Sequence, residues 1–92
     1  MYLSDPSGLP IDGHMTPAQL RAARGLLGWS RRDLAEKSGT SAEAVQWFEA
    51  RGGDPKLSTT MKWRRALQKA GCTLIEPDAE GGPGVRLREP KG

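Results

Sequence analysis

The chain has 92 residues, 36% of them hydrophobic, and a formal net charge of +3 at pH 7, which limits it to one small domain of globular composition. Its single cysteine, Cys72, excludes an internal disulfide framework and a Cys-rich zinc site, and it fits a reducing cytoplasm. No apolar run approaches the roughly 18 residues that a membrane-spanning helix needs, so we expect no membrane partner.

The first predicted element is a flexible arm over residues 1–15, because this segment is rich in glycine and proline and has no apolar period. Helix 1 is predicted from Pro17 to Leu27, with Thr16 as its N-cap and Gly28 as its C-terminal stop. Its apolar residues recur at helical spacing: Leu20, Ala23, Leu27 and a second pair, Ala22 and Leu26.

Two short helices separated by a glycine turn are predicted next. Helix 2 begins after Ser30, with Asp33 completing a weak capping box, and it ends before Gly39. Helix 3 occupies residues 41–51, with Ser41 as its cap, and it ends at a pair of glycines. The predicted inward-facing residues of these helices are Leu34, Ala35, Val45 and Phe48.

Helix 4 and a C-terminal β-hairpin complete the predicted fold. Ser58 is expected to cap helix 4, which runs to about Ala70. The apolar period then changes to two, which predicts a hairpin over residues 72–89. The predicted inward-facing residues are Thr60, Trp63, Ala66, Leu67, Ala70, Cys72, Leu74, Val85 and Leu87. The fold class is therefore predicted as mainly α: a four-helix helix-turn-helix domain over residues 16–71, followed by a small β-hairpin.

The two short helices have the features of a helix-turn-helix unit, in which a turn that contains glycine joins two crossing helices. Ala35 is small where the helices cross, Gly39 suits the left-handed backbone of the turn, and Val45 fills the angle between the helices. These three positions predict the unit from backbone and packing requirements alone.

The central segment carries most of the positive charge. Residues 16–71 contain eleven Lys or Arg and five Asp or Glu, a net charge of +6, whereas the flanks carry a net charge of −3. This charge fits polyanion binding, and it fits a solvated helical surface equally well. No pattern indicates catalysis, because neither His14 nor Cys72 has a suitable partner in the sequence, so we expect no enzyme activity, no cofactor and no metal.

The residues MTPAQLRAARGLLGWSRRDLAEKSGTS resemble the opening of the Cro/repressor-type helix-turn-helix family, also called the xenobiotic-response-element family of bacterial and phage regulators. The resemblance covers residues 16–71, about 60% of the chain, and the later PGVRLR resembles the end of a short bacterial subgroup with a C-terminal β element. It implies a sequence-specific regulator of transcription that binds double-stranded DNA in the cytoplasm, as a repressor by default.

The resemblance also assigns roles to positions. Helix 3 is expected to be the recognition helix in the major groove. The positions that match base-contacting sites are Ala42, Glu43, Gln46 and Trp47, and those expected at the DNA backbone are Arg31, Arg32, Ser41, Arg51 and Lys56. Arg24 and Glu49 match a structural ion pair between helix 1 and the end of helix 3. This chain departs from the family at Ala42, Ala44 and Trp47, where the family often has polar, amide or basic residues. Ala42 and Ala44 offer only methyl contacts, and Glu43 repels the duplex unless it accepts from a cytosine amino group.

Three tryptophans and a basic stretch of helix 4 have competing interpretations. Trp47 points about 100° away from Phe48, so it is expected against a sugar-phosphate or a thymine methyl, or else against a loop side chain or a partner subunit. Trp29 and Trp63 are expected in the core. The residues expected on a solvated face are Arg64, Arg65 and Lys69.

One helix-turn-helix reads about half a site, so a homodimer on a palindromic operator is expected. The hairpin is the expected dimer element, because a free strand edge recruits another strand, although it could instead only cover the helices. Its expected dimer residues are Leu74, Ile75, Val85 and Leu87. The alternative hypothesis is an antitoxin or another protein-interaction module, whose hairpin or N-terminal arm binds a partner protein such as a toxin. A regulator that also binds RNA is a further alternative.

Overall fold

Four α-helices and a two-stranded antiparallel sheet follow one another along residues 15–88, the part of the chain that the computed structural model describes. The elements are α1 (Pro17–Leu27), α2 (Arg31–Ser38), α3 (Ala42–Arg51), α4 (Leu57–Lys69), β1 (Cys72–Ile75) and β2 (Gly84–Leu87). The predicted fold class, mainly α with a C-terminal β-hairpin, is confirmed. Residues 1–14 of the predicted arm, and Glu89 at the end of the predicted hairpin segment, lie outside the described residues.

Local capping sets the boundaries of the first three helices. The hydroxyl oxygens of Thr16, Ser30 and Ser41 each accept a hydrogen bond from the backbone N–H three residues later, as predicted. The Ser30 backbone N–H in turn donates to the Asp33 carboxylate at 2.9 Å, and these hydrogen bonds with Ser30 hold the pKa of Asp33 below its usual value.

The predicted cap of the fourth helix is wrong. α4 begins at Leu57, so the extended N-cap residue is Lys56 rather than Ser58, and no side chain caps this terminus. The Lys56 carbonyl accepts from the backbone N–H groups of Thr59 and Thr60, which makes the first turn helical before Ser58 is reached.

Trp63 lies at the centre of the core, which all four helices line. Its ring centroid is 5.4 Å from that of Phe48, and its Nε1–H donates to the Thr40 hydroxyl at 3.0 Å. Trp29 is half-buried against the core, with the Lys37 ammonium 5.4 Å from its ring centroid.

Met15 was assigned to the arm, but it is buried in the core. The helical domain therefore begins at Met15 and not at Thr16. The remaining buried apolar residues are Leu20, Ala23, Leu34, Ala35, Val45, Ala66, Leu67, Cys72 and Leu74.

Some apolar residues of α1 and α4 lie outside the core. The second apolar pair of α1, Ala22 and Leu26, is exposed to solvent, and Ala70, which was predicted to face inward, is half-buried. These residues lie beyond the narrow apolar stripe that each helix buries, so no other element covers them fully. Among the helices of residues 15–88, none is both long enough and apolar enough to cross a membrane.

The hairpin packs on the helices as part of the same core. Cys72 pairs with Leu87 and Leu74 with Val85, so these four side chains share one face, as predicted. Cys72 and Leu74 are buried in the helical core, where burial raises the pKa of the Cys72 thiol. Leu74 therefore faces its own chain, which corrects its assignment to a dimer surface. Val85 and Leu87 also pack against the core but remain partly exposed, and Ile75 is half-buried on the opposite face.

Two long side chains join the hairpin to the helices. The Gln19 amide donates from Nε2 to the carbonyls of Ile75 and Gly84, at 3.1 Å each. Arg64 was expected on a solvated face, but it is buried and its Nη2 lies 3.2 Å from the Glu76 carboxylate. Arg64 is buried, and not on a solvated face, because the hairpin covers this part of α4.

Candidate nucleic-acid interface

One side of α3 packs against α2. Gly39 adopts the left-handed conformation with φ 73°, and the Thr40 backbone N–H donates to the Ala35 carbonyl at 3.0 Å. Ala35 and Val45 are buried between the helices, as the helix-turn-helix pattern requires. The opposite side of α3 is left open to solvent.

We call this open side the outer face of α3, defined by Glu43, Ala44, Gln46, Trp47, Ala50 and Arg51. Together with Ser41 these residues line one shallow concavity on the surface. The structure thus brings together three of the four predicted base-contacting residues. The fourth, Ala42, is half-buried and packs against the core, and so does Ala44, so these two methyl groups offer less surface than expected. Ala50 was missed, although its helical spacing from Glu43 and Gln46 could have placed it on this face.

Trp47 lies against the loop that follows α3. It is 47% exposed, and its six-membered ring covers Gly53 so closely that a Cβ at this glycine would overlap with Trp47 Cη2 and Cζ3. This contact is with the loop backbone at Gly53. One part of the indole is therefore held in place while the rest faces the outer concavity.

Next to the outer face of α3, the buried carboxylate of Glu49 joins α3 to α1 and α2. Arg24 donates from Nε and Nη2 to the two oxygens of Glu49, at 2.7 Å each, and Arg31 donates from Nε to Oε1 at 3.2 Å. The exposed fractions of these side chains are 16% for Arg24, 0% for Glu49 and 44% for Arg31. The hydrogen bonds from Arg24 to Glu49 raise the pKa of the Arg24 guanidinium, so it keeps its charge.

The ion pair between Arg24 and Glu49 has the predicted partners, and sequence reasoning missed two further links. Arg31 joins the same carboxylate from the start of α2, and Arg21 donates from Nη1 to the Glu49 carbonyl at 2.9 Å. Arg21 and Arg24 stand three residues apart on α1, which places them on one side of that helix. This spacing is the feature of the sequence that could have predicted the contact of Arg21 with Glu49.

The residues predicted at the DNA backbone all lie on the surface. The five are Arg31, Arg32, Ser41, Arg51 and Lys56. Arg31 and Arg32 open α2, Arg51 ends α3, and Lys56 precedes the uncapped start of α4. The Ser41 hydroxyl already accepts from the Ala44 backbone N–H at 3.1 Å, which leaves its own hydrogen as a donor.

Gly53→Ala is expected to destabilise the protein more than Gly28→Ala. Both glycines have a positive φ, 51° and 69°, so each substitution carries left-handed strain of about 1–2 kcal/mol. Only at Gly53 would the new Cβ meet a side chain, and displacing Trp47 is expected to add about 1–3 kcal/mol. Chemical denaturation of both variants measures the difference.

The Trp47→Ala background supplies the control for this comparison. Without the indole, Gly53→Ala should cost no more than Gly28→Ala, because only the backbone strain remains. An equal cost of Gly53→Ala in both backgrounds would show that the indole does not hold the loop.

Comparisons with known proteins add nothing to this geometry. No protein-family model matches the sequence, and no curated protein matches it. Within residues 15–88, no group of three His, Cys, Asp or Glu side chains lies close enough together to hold a metal ion. The function is therefore argued from the charges and contacts of the chain itself.

Proposed function

We propose that the protein is a sequence-specific regulator of transcription that binds double-stranded DNA, with α3 in the major groove, and that it acts as a repressor. The observation that carries the proposal is the link between α2 and α3 through Glu49. It holds Arg31, a phosphate-binding group, at a fixed position beside the exposed outer face of α3. A helix inserted in a groove needs such a backbone contact to fix its depth and orientation.

Arg31 is suited to a phosphate because Glu49 occupies only one side of its guanidinium. Within the described residues its hydrogen bond to Glu49 uses Nε, so both terminal nitrogens keep their donors, and 44% of the side chain is exposed. The cluster of Arg24, Arg31 and Glu49 contains two cations and one anion, so a net positive charge remains. A DNA phosphate can bind bidentately to the outward edge of Arg31 without breaking the buried pair.

The other basic residues supply the electrostatic part of binding. Arg32 and Lys56 are exposed at the starts of α2 and α4, and Arg51 is exposed at the end of α3, on the outer face. Neutralising phosphates with such residues releases counterions and makes affinity fall with salt.

A homodimer is part of the proposal, because one recognition helix covers only about half of a typical operator. Two copies related by a two-fold axis would read half-sites about 34 Å apart. The hairpin keeps two features that suit a dimer contact: Ile75 lies on its face away from the core, and β2 has a partner strand on one side only. Action in the cytoplasm, on the nucleoid, belongs to the same proposal.

A protein-binding module, such as an antitoxin, is the second candidate. The observation that favours it is a groove between α1, α4 and β2, where the exposed Leu26 lies beside Leu27 and Leu87, with Lys69 and Arg88 at the edge. A partner protein that binds the native chain, and is lost from the Leu26→Asp variant, would support this candidate.

Selection of bound sequences from a random double-stranded DNA pool tests the main proposal. A palindromic consensus with half-sites about one helical turn apart is the expected result. The variant with Arg31 and Arg51 both changed to Ala should enrich nothing, whereas Arg65→Ala, an exposed change on α4, should return the same consensus. A native protein that enriches no sequence would overturn the proposal.

Arg31→Ala is expected to weaken binding to all sequences about equally. Removing one phosphate contact should flatten the slope of log affinity against log salt by roughly one unit. Affinities of the native protein, Arg31→Ala and Arg65→Ala at several salt concentrations provide the measurement. A slope that is the same for all three proteins would rule out Arg31 as a phosphate contact.

A further inference from the structure

The outer face of α3 has an unusual chemical composition for a DNA-reading surface. Within α3, AEAVQWFEAR, the only Lys or Arg is Arg51, which lies in the last turn. The other groups on the outer face are a carboxylate, an amide, an indole and the methyl groups of two alanines, from Glu43, Gln46, Trp47, Ala44 and Ala50. This composition restricts which base edges the face can bind.

Guanine is the base that this face fits worst. Its major-groove edge presents the two acceptors N7 and O6, and the usual partner is a bidentate Arg or Lys. The side chains at the N-terminal end of a recognition helix reach the bases, and here that end carries Glu43. Its carboxylate is repelled by both acceptors of guanine and can accept only from the amino group of cytosine or adenine. Arg51 stands at the other end, beside the loop, where a phosphate contact is the natural role.

Thymine is the base that fits best. Its C5 methyl is the only apolar group in the major groove, and it is matched by aromatic and alanine side chains. Trp47 offers the exposed part of an indole that Gly53 already holds in place, so binding a methyl group costs little side-chain entropy.

Gln46 extends this preference to the partner base. It lies next to Trp47, is exposed, and has no hydrogen bond to another described residue. A glutamine amide binds adenine bidentately through N6 and N7. Adenine pairs with thymine, so the amide and the indole favour the same kind of base pair.

On the basis of the proposed function, we propose that Trp47 and Gln46 select A·T pairs in the major groove: Trp47 contacts a thymine methyl group, Gln46 binds adenine, and no residue of α3 binds guanine. Each half-site would then contain A·T pairs at the positions that these two residues contact. The preference for A·T at these positions is a property of Trp47 and Gln46, whereas Arg31 contributes affinity without sequence preference.

Base analogues test this with the native protein, so the result does not depend on whether a variant folds. Each thymine of the selected operator is replaced in turn by uracil, which removes only the C5 methyl. At one position in each half-site affinity should fall about fourfold, the worth of one buried methyl group, and elsewhere it should not change. The Trp47→Ala variant should bind thymine and uracil equally well at the sensitive position nearest the indole.

Two deaza analogues test the predicted contacts with guanine and adenine. Replacing guanine by 7-deazaguanine removes N7 and should leave affinity unchanged at every position. Replacing adenine by 7-deazaadenine should weaken binding at the position read by Gln46, and this loss should be absent in Gln46→Ala. Native affinity for the uracil operator, or a loss with 7-deazaguanine within the half-sites, would overturn the inference and leave DNA binding intact. A protein that selects no DNA sequence would overturn both.

Discussion

Glu49→Ala is expected to lower the free energy of unfolding by about 3–5 kcal/mol, because it leaves the largely buried Arg24 charge without its partner. A domain of this size has only about 5–15 kcal/mol in total, so the variant should be close to its unfolding threshold at 37 °C. Urea denaturation followed by helical circular dichroism gives the value. Glu43→Ala, an exposed change on the same helix, is the matched control and should stay within about 0.5 kcal/mol.

Double-mutant cycles separate the two arginines that share this carboxylate. Arg24 makes two bonds of 2.7 Å and is mostly buried, so its coupling to Glu49 should be the larger, at about 1–3 kcal/mol. Arg31 makes one bond of 3.2 Å and is partly exposed, so its coupling should stay below about 1 kcal/mol. Equal couplings would mean that Arg31 is a structural residue and would weaken its assignment to a phosphate.

Leu74→Ala is expected to cost about 2–5 kcal/mol, because this side chain is buried where the hairpin meets the helices. Thr73→Ala, a change on the opposite face of β1, is the control and should have a much smaller effect. Thermal or urea unfolding of the two variants and the native protein measures both losses of stability.

The concentration dependence of this loss tests the core role that the burial of Leu74 in its own chain assigns to it. If Leu74 serves its own chain, the cost should be the same at low and high protein concentration. If it stabilises a dimer, the cost should grow as the concentration rises and the native dimer forms, by mass action. Deleting residues 72–88 cannot make this distinction, because deletion also uncovers the core that Cys72 and Leu74 help to close.

The parts of the fold that depend on short-range interactions were predictable from the sequence. Thr16, Ser30 and Ser41 cap N–H groups only three residues away, so the starts of the first three helices follow from neighbouring residues. Gly28 and Gly39 end helices by their backbone conformation alone. Ser58 is not a cap, because the helix already begins at Leu57 and Ser58 lies inside its first turn.

The parts that depend on distant partners were not predictable. The burial of Arg64 requires the position of Glu76, and the contact of Trp47 requires the conformation of Gly53. In the same way, the pairing of Arg24 with Glu49 came from a family resemblance, while the third member, Arg31, appeared only once α2 had been placed against α3. Periodicity assigns a residue to a face, but it does not say which other element covers that face.

The amide of Gln19 has a consequence for how the protein is made. Its Oε1 accepts from the Thr16 backbone N–H in the first turn of α1, and its Nε2 donates to Gly84, which is 65 residues further along the chain. During synthesis, the first helix can cap itself as soon as it leaves the ribosome, but this second link has to wait until the last strand has emerged. Chains interrupted before residue 84 would carry the four helices without the last strand, so the part of the core against which Val85 and Leu87 pack would stay exposed to chaperones and proteases.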